Sequence, residues 1–109
     1  MIIEFSDARA AELFNTEKKL RGRFGAELAK AVMKRLDDLR AAGCLEDMRN
    51  LPGRWHELTG DLKGHVACSL SANWRLVIRP AGSPKLREDG GLNWKEVTAV
   101  RIINVRDYH

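Results

Sequence analysis

Apolar and polar positions follow two different periods in the two halves of the chain. After a short strand-like start at Ile2, Ile3 and Phe5, apolar residues recur at helical spacing: Ala10, Leu13 and Phe14 form one stripe. Ser6 or Asp7 is placed to cap that helix by accepting backbone N–H bonds. The charged stretch Glu17–Arg23 is interrupted by Gly22 and predicts a helical turn plus connector. From about Ala26 to Ala42, Leu28, Val32, Leu36 and Leu39 share one side, which predicts a longer amphipathic helix, with Gly43 placed to end it in a left-handed conformation. Leu45 to Asn50 reads as one further turn before Pro52-Gly53.

Beyond Gly53 the period becomes two. Trp55 to Leu58 reads as a short extended piece. His65 to Ser71 alternates, with Val66, Cys68 and Leu70 on one face. Ala72-Asn73 supplies a hairpin turn, and the returning strand puts Trp74, Leu76 and Ile78 opposite Arg75, Val77 and Arg79 until Pro80 ends it. Residues 81–95 form a polar, glycine-containing segment too long for a tight turn. Lys95 to Val105 is apolar on both faces, as a central strand requires. The order is a strand, two or three helices and an antiparallel meander: an α+β fold in which N-terminal helices pack on one face of a small twisted sheet.

Composition narrows the partners. The 109 residues suit a single domain spanning 1–109, and the net charge of +4 with a pI near 9.4 favours an anionic partner, nucleic acid first. No apolar run approaches the roughly 20 residues needed to cross a bilayer, and the N-terminus lacks a signal-peptide layout, so a cytoplasmic location without membrane contact is expected. Cys44 and Cys68 are too widely spaced for a CxxC motif and read as buried or half-buried thiols. No metal site or cofactor is implied.

The candidate chemistry sits at His56, at Arg75 and in the terminal Asp107-Tyr108-His109. These supply proton donors and acceptors and a fixed positive charge, an inventory suited to cutting a phosphodiester without a metal. RNA brings its own nucleophile, the 2′-hydroxyl. The protein must supply a base, an acid for the leaving 5′-oxygen and positive charge for the transition state. An imidazole serves either proton role, since it titrates near about 6.5. His56 and His109 therefore read as the proton-transfer pair, with base and acid unassigned. Arg75 is read as a phosphate fork, Tyr108 as a hydrogen-bond donor or base-stacking ring, and Asp107 as orienting an imidazole or tying down the chain end. Blander readings stand beside these. His56 next to Trp55 suits a structural bond to a backbone carbonyl, Arg75 a surface ion pair, and Trp74 core packing. Lys18, Lys19, Arg21 and Arg23 suit a solvated helix face or contacts to phosphates or acidic residues.

The segments Leu51-Pro52-Gly53, His56-Glu57-Leu58, Gly60-Asp61-Leu62-Lys63-Gly64, Asn73-Trp74-Arg75-Leu76 and Asp107-Tyr108-His109 together resemble the HigB-type toxins of the RelE superfamily. That family is also known as plasmid-maintenance killer proteins. The resemblance implies a RelE-like fold and a ribosome-dependent endoribonuclease that cleaves mRNA. It also implies inhibition by a cognate helix-turn-helix antitoxin, with operator DNA contacted only through that partner. It places the active site on His56, Arg75, Asp107, Tyr108 and His109, with Lys63 and Arg79 as candidate RNA-binding cations. One position departs: many members carry a lysine where Thr59 stands here, and Lys63 or Arg75 is available to substitute. The departure keeps a second class open, a non-catalytic RelE-like module that binds an antitoxin and assists operator binding. A stand-alone basic nucleic-acid-binding module is the third.

Overall fold

The computed structural model of the chain describes residues 1–83 and 85–108. Strand β1 (Ile2–Phe5) leads into three helices, α1 (Ala8–Asn15), α2 (Glu17–Phe24) and α3 (Ala26–Ala41). Strands β2 (His56–Glu57), β3 (Val66–Ser69), β4 (Trp74–Pro80) and β5 (Ala99–Asp107) follow, with short 3-10 turns at Leu45–Asn50, Gly60–Leu62 and Trp94–Glu96. The α+β expectation holds, with one refinement to the sheet. Strand order is β1-β5-β4-β3-β2; β2 to β5 pair antiparallel, but β1 joins the edge of β5 in parallel. A parallel neighbour needs a long crossover, and the three helices provide it.

Local sequence explains each helix. Asp7 is the cap of α1, its carboxylate accepting from the Ala10 N–H at 2.8 Å. The Glu17–Arg23 stretch is not a connector but the full helix α2. Gly22 costs about 1 kcal/mol there, which the complete burial of Leu20 on the same helix offsets. Gly25, at φ 87, then separates α2 from α3. Helix α3 ends differently from expectation. Its last residues lead into an extended Ala42, and Gly43 donates its N–H to Asp47 Oδ2 at 3.0 Å instead of adopting a left-handed turn.

Helix α3 buries Ala29, Val32, Leu36 and Leu39; Leu28 is only half-buried. These meet Val66, Cys68, Leu76, Ile78, Val100 and Ile102 from one face of the sheet, with Trp55 and Trp94 closing the core. The 81–95 segment is anchored rather than simply solvated. Glu57 accepts from Trp94 Nε1 at 2.7 Å and from the Leu92 N–H at 3.4 Å, while Arg49 stacks over the Trp94 ring at 3.8 Å. Among the described residues no helix is long and apolar enough to cross a membrane.

Candidate functional site

Register decides which candidates share a face. Residues directly opposed in an antiparallel pair project to the same side of the sheet. His56 opposes Ala67, Ala67 opposes Val77, and Val77 opposes Asn104, so one row crosses four strands. One step along, Ser69, Arg75 and Arg106 form the next row. On the far side of the row, Arg79 opposes Arg101. All of these lie on the face away from the helices, where Ala67 and Val77 are fully buried at the centre and His56 and Arg79 are exposed at the margins. Strand spacing puts β2 and β4 roughly 10 Å apart, with Arg75 roughly 7 Å along β4 from the His56 row. Two long side chains can bracket a phosphate across that gap.

His56 is exposed, and its Nδ1 lies 2.8 Å from the Arg54 carbonyl oxygen. A carbonyl can only accept, so Nδ1 is the donor and, in the neutral imidazole, Nε2 is the nitrogen with the lone pair. The structural role read for this residue is thus realised, and it leaves Nε2 without a part in that bond. Arg54 achieves the bond from a left-handed backbone, φ 52, the sole non-glycine at positive φ among the described residues. Arg75 makes no ion pair among the described residues. Its Nη1 bonds the carbonyls of Ser71, Ala72 and Trp74 at 2.9, 3.3 and 3.0 Å, fixing the guanidinium against the β3–β4 hairpin.

The terminal residues divide. Asp107 opposes Trp74 and so alternates to the helix-packed side, away from the row that holds Arg75. The register therefore does not bring Asp107 to the face of His56 and Arg75, and of the two roles read for it, tying down the chain end is the one this position suits. Tyr108 follows on the open side, 43% exposed, with its N–H bonded to the Asn73 carbonyl at 2.7 Å and the Arg106 guanidinium 5.5 Å from its ring centre. His109 lies outside the described residues. Arg79 is exposed on the open face as its parity requires, whereas Lys63 lies on the 58–64 loop, lining a cleft against residues 86–92. Trp74 is half-buried rather than core, edge-on to Phe24 at 6.4 Å. Lys19 and Arg21 form ion pairs with Glu12 and Glu17 on the helical side.

Arg35, Arg54, Arg101 and Arg106 were not singled out in the sequence. Arg101 pairs with Glu4 at 3.4 Å. Arg35 crosses from α3 to donate Nε to the Ser69 carbonyl at 3.1 Å. Beneath it the Cys68 thiol is pushed up to about 12 from an ordinary 9.0, by burial first, with the positive charges of Arg35 and Arg75 opposing. A thiol held neutral in the fold stabilises it fully below pH 9, and that contribution is lost as pH rises from 9 toward 12. The unfolding free energy of the wild type should therefore fall relative to that of Cys68→Ala above pH 9, by about 1.4 kcal/mol per pH unit at most. Parallel curves for the two proteins between pH 8 and 11 would contradict the buried placement.

No family model matches the chain, and no curated protein matches it by sequence. Solved structures do match over its whole length. The YoeB/ParE toxin from Agrobacterium tumefaciens is 16% identical at a TM-score of 0.54, covering 100% of both chains. YoeB from Staphylococcus aureus matches in its complex with YefM, at 18% identity and a TM-score of 0.56, covering 100% of this chain and 97% of that one. The YoeB dimer from the same organism is 19% identical at a TM-score of 0.54, with the same coverage. The fold is that of the YoeB/ParE toxins. At these identities the likeness is one of architecture: the helix-covered, five-stranded sheet is the RelE-like arrangement that the motif resemblance implied.

Proposed function

We propose that this chain is the toxin of a type II toxin–antitoxin pair, a HigB-type, ribosome-dependent endoribonuclease acting on mRNA in the cytoplasm. The observation that supports the reading is the sheet face away from the helices, which carries His56, Arg75, Arg79 and Arg106 in neighbouring rows, with Tyr108 beside Arg106. Cleavage proceeds by attack of a ribose 2′-hydroxyl on the adjacent phosphorus. The P–O5′ bond breaks, leaving a 2′,3′-cyclic phosphate and a 5′-hydroxyl. His56 moves one of the two protons, and His109 is proposed for the other. Arg75 neutralises the phosphorane charge with the guanidinium edge that does not bind the hairpin. Tyr108 stacks on a base or donates a hydrogen bond, while Arg79 and Lys63 contact backbone phosphates. With so small a site, the ribosome supplies the bend that brings the 2′-oxygen into line.

The proposed partner is a helix-turn-helix antitoxin, with operator DNA reached only through it. The structural neighbours support a protein partner, since one is a heterotetrameric YoeB-YefM toxin–antitoxin complex. A second reading keeps the partner and drops the chemistry. It is favoured by Thr59 at the position of the family lysine and by Asp107 facing the helical side. Induction in bacteria followed by mapping of mRNA 5′ ends separates the two. The nuclease produces new 5′-hydroxyl ends within translated frames. Growth arrest without such ends selects the binder.

A further inference from the structure

Three arginines from separate elements meet at the open edge of β3. Arg35 comes from α3, Arg54 from the 51–55 loop and Arg75 from β4, and together with Gly53, Ser69 and Ser71 they line a pocket of about 350 Å3. No carboxylate lines it, and none of the three forms an ion pair among the described residues. Guanidiniums gathered without a counter-charge repel one another, and an anion placed between them converts that repulsion into charge-assisted bonds. Two of the three are held in place by the protein. Arg35 is tied through Nε to Ser69 O, and Arg75 through Nη1 to the hairpin carbonyls. Arg54 makes no side-chain bond among the described residues, and its main chain is the one that orients His56. A strained backbone at such a junction is a common mark of a functional position.

We infer that this pocket is a phosphate subsite taking the nucleic-acid backbone phosphate next to the one cleaved, with Arg35 and Arg54 as binding residues. The inference deepens the nuclease reading and rests on it for the identity of the strand. Because Arg54 joins the pocket to His56 through one residue, a phosphate seated there fixes the register of the ribose presented to Nε2. An acidic protein segment is the competing occupant. A guanidinium fork pairs with either anion, and the phosphate is favoured here because the pocket shares Arg54 with the turn that orients His56.

The test uses a fluorescein-labelled 2′-O-methyl RNA dodecamer, which has no free nucleophile and cannot be cut. Its affinity is followed against salt for the whole chain and for Arg35→Gln and Arg54→Gln. Each substitution should weaken binding roughly tenfold and reduce the slope of log K on log salt by about 0.7, the value for one single-strand phosphate contact. Lys34→Gln, one residue from Arg35 and paired with Asp38, removes the same charge and should leave the slope unchanged. Arg35→Gln also releases Ser69, so the Arg54 variant carries the test if thermal melts show the first to be unfolded. Slopes indistinguishable from wild type overturn the subsite. So does a glutamate dodecamer whose binding depends on both arginines when that of the RNA does not. Cleavage on ribosomes is measured separately. A wild type that does not cleave sinks the nuclease reading, while the slopes still decide the pocket.

Discussion

His56→Ala is expected to lower mRNA cleavage on translating ribosomes by roughly 100- to 10,000-fold, the usual cost of removing one positioned acid or base. The side chain is exposed on a two-residue strand and, among the described residues, bonds only the Arg54 carbonyl, so its loss should leave the fold intact. His56→Gln isolates the chemistry further, because an amide can occupy the bond to Arg54 but cannot carry the proton. Arg75 is a less clean probe. Arg75→Ala removes phosphate neutralisation and also takes the side-chain donor from the Ser71 and Ala72 carbonyls, while that of Trp74 keeps its backbone bonds; Arg75→Lys keeps the charge and loses the fork. The ordering expected from primer extension of cleaved message is wild type, then Arg75→Lys, then Arg75→Ala and His56→Ala together at the bottom. His56→Gln cutting as fast as wild type would remove the imidazole from the mechanism.

The same experiment bears on how much of the site could be read from sequence. Alternation in β4 placed Arg75, Val77 and Arg79 on one side, and the sheet keeps them there. In β5 the simple parity fails. Val77 opposes Asn104 while Ile78 opposes Ile102, so Ile103 is an extra residue and the strand changes phase. That bulge puts Arg101 and Arg106, of opposite parity in the chain, on one open face, and sends Asp107 to the other side. A bulge depends on the partner strand, so a single strand's pattern gives no sign of it. Arg35 was hidden for a related reason. On α3 it reads as a polar-face residue, and only the short span of β2 leaves the Ser69 edge open for it. Helix α2 is the opposite case: local propensity makes Gly22 a breaker, but tertiary burial of Leu20 prevails.

Gly53→Ala should be the most damaging alanine substitution among the described glycines, lowering stability by about 2–6 kcal/mol from two separable sources. The first is conformational: Gly53 sits at φ 124, where a Cβ is strained, at about 1–3 kcal/mol. The second is steric, because that Cβ would lie 2.9 Å from Arg35 Nε, 3.0 Å from Trp55 Nε1 and 3.3 Å from Cys68 Cβ. None of these gives way freely. Arg35 is bonded to Ser69, the Trp55 indole is bonded to the Pro52 carbonyl at 3.2 Å within the core, and Cys68 is fully buried. Overpacking of this kind adds about 1–3 kcal/mol. Gly60→Ala is the control: its φ of 65 is also positive, but an added Cβ there meets nothing within 4 Å, so it should cost only about 1 kcal/mol. Urea denaturation of the pair measures the difference. Equal losses would mean that the 51–55 loop does not press on β3 as described. A larger loss at Gly53, accompanied by weaker RNA binding in the folded fraction, would tie the packing under the loop to the arginine pocket above it.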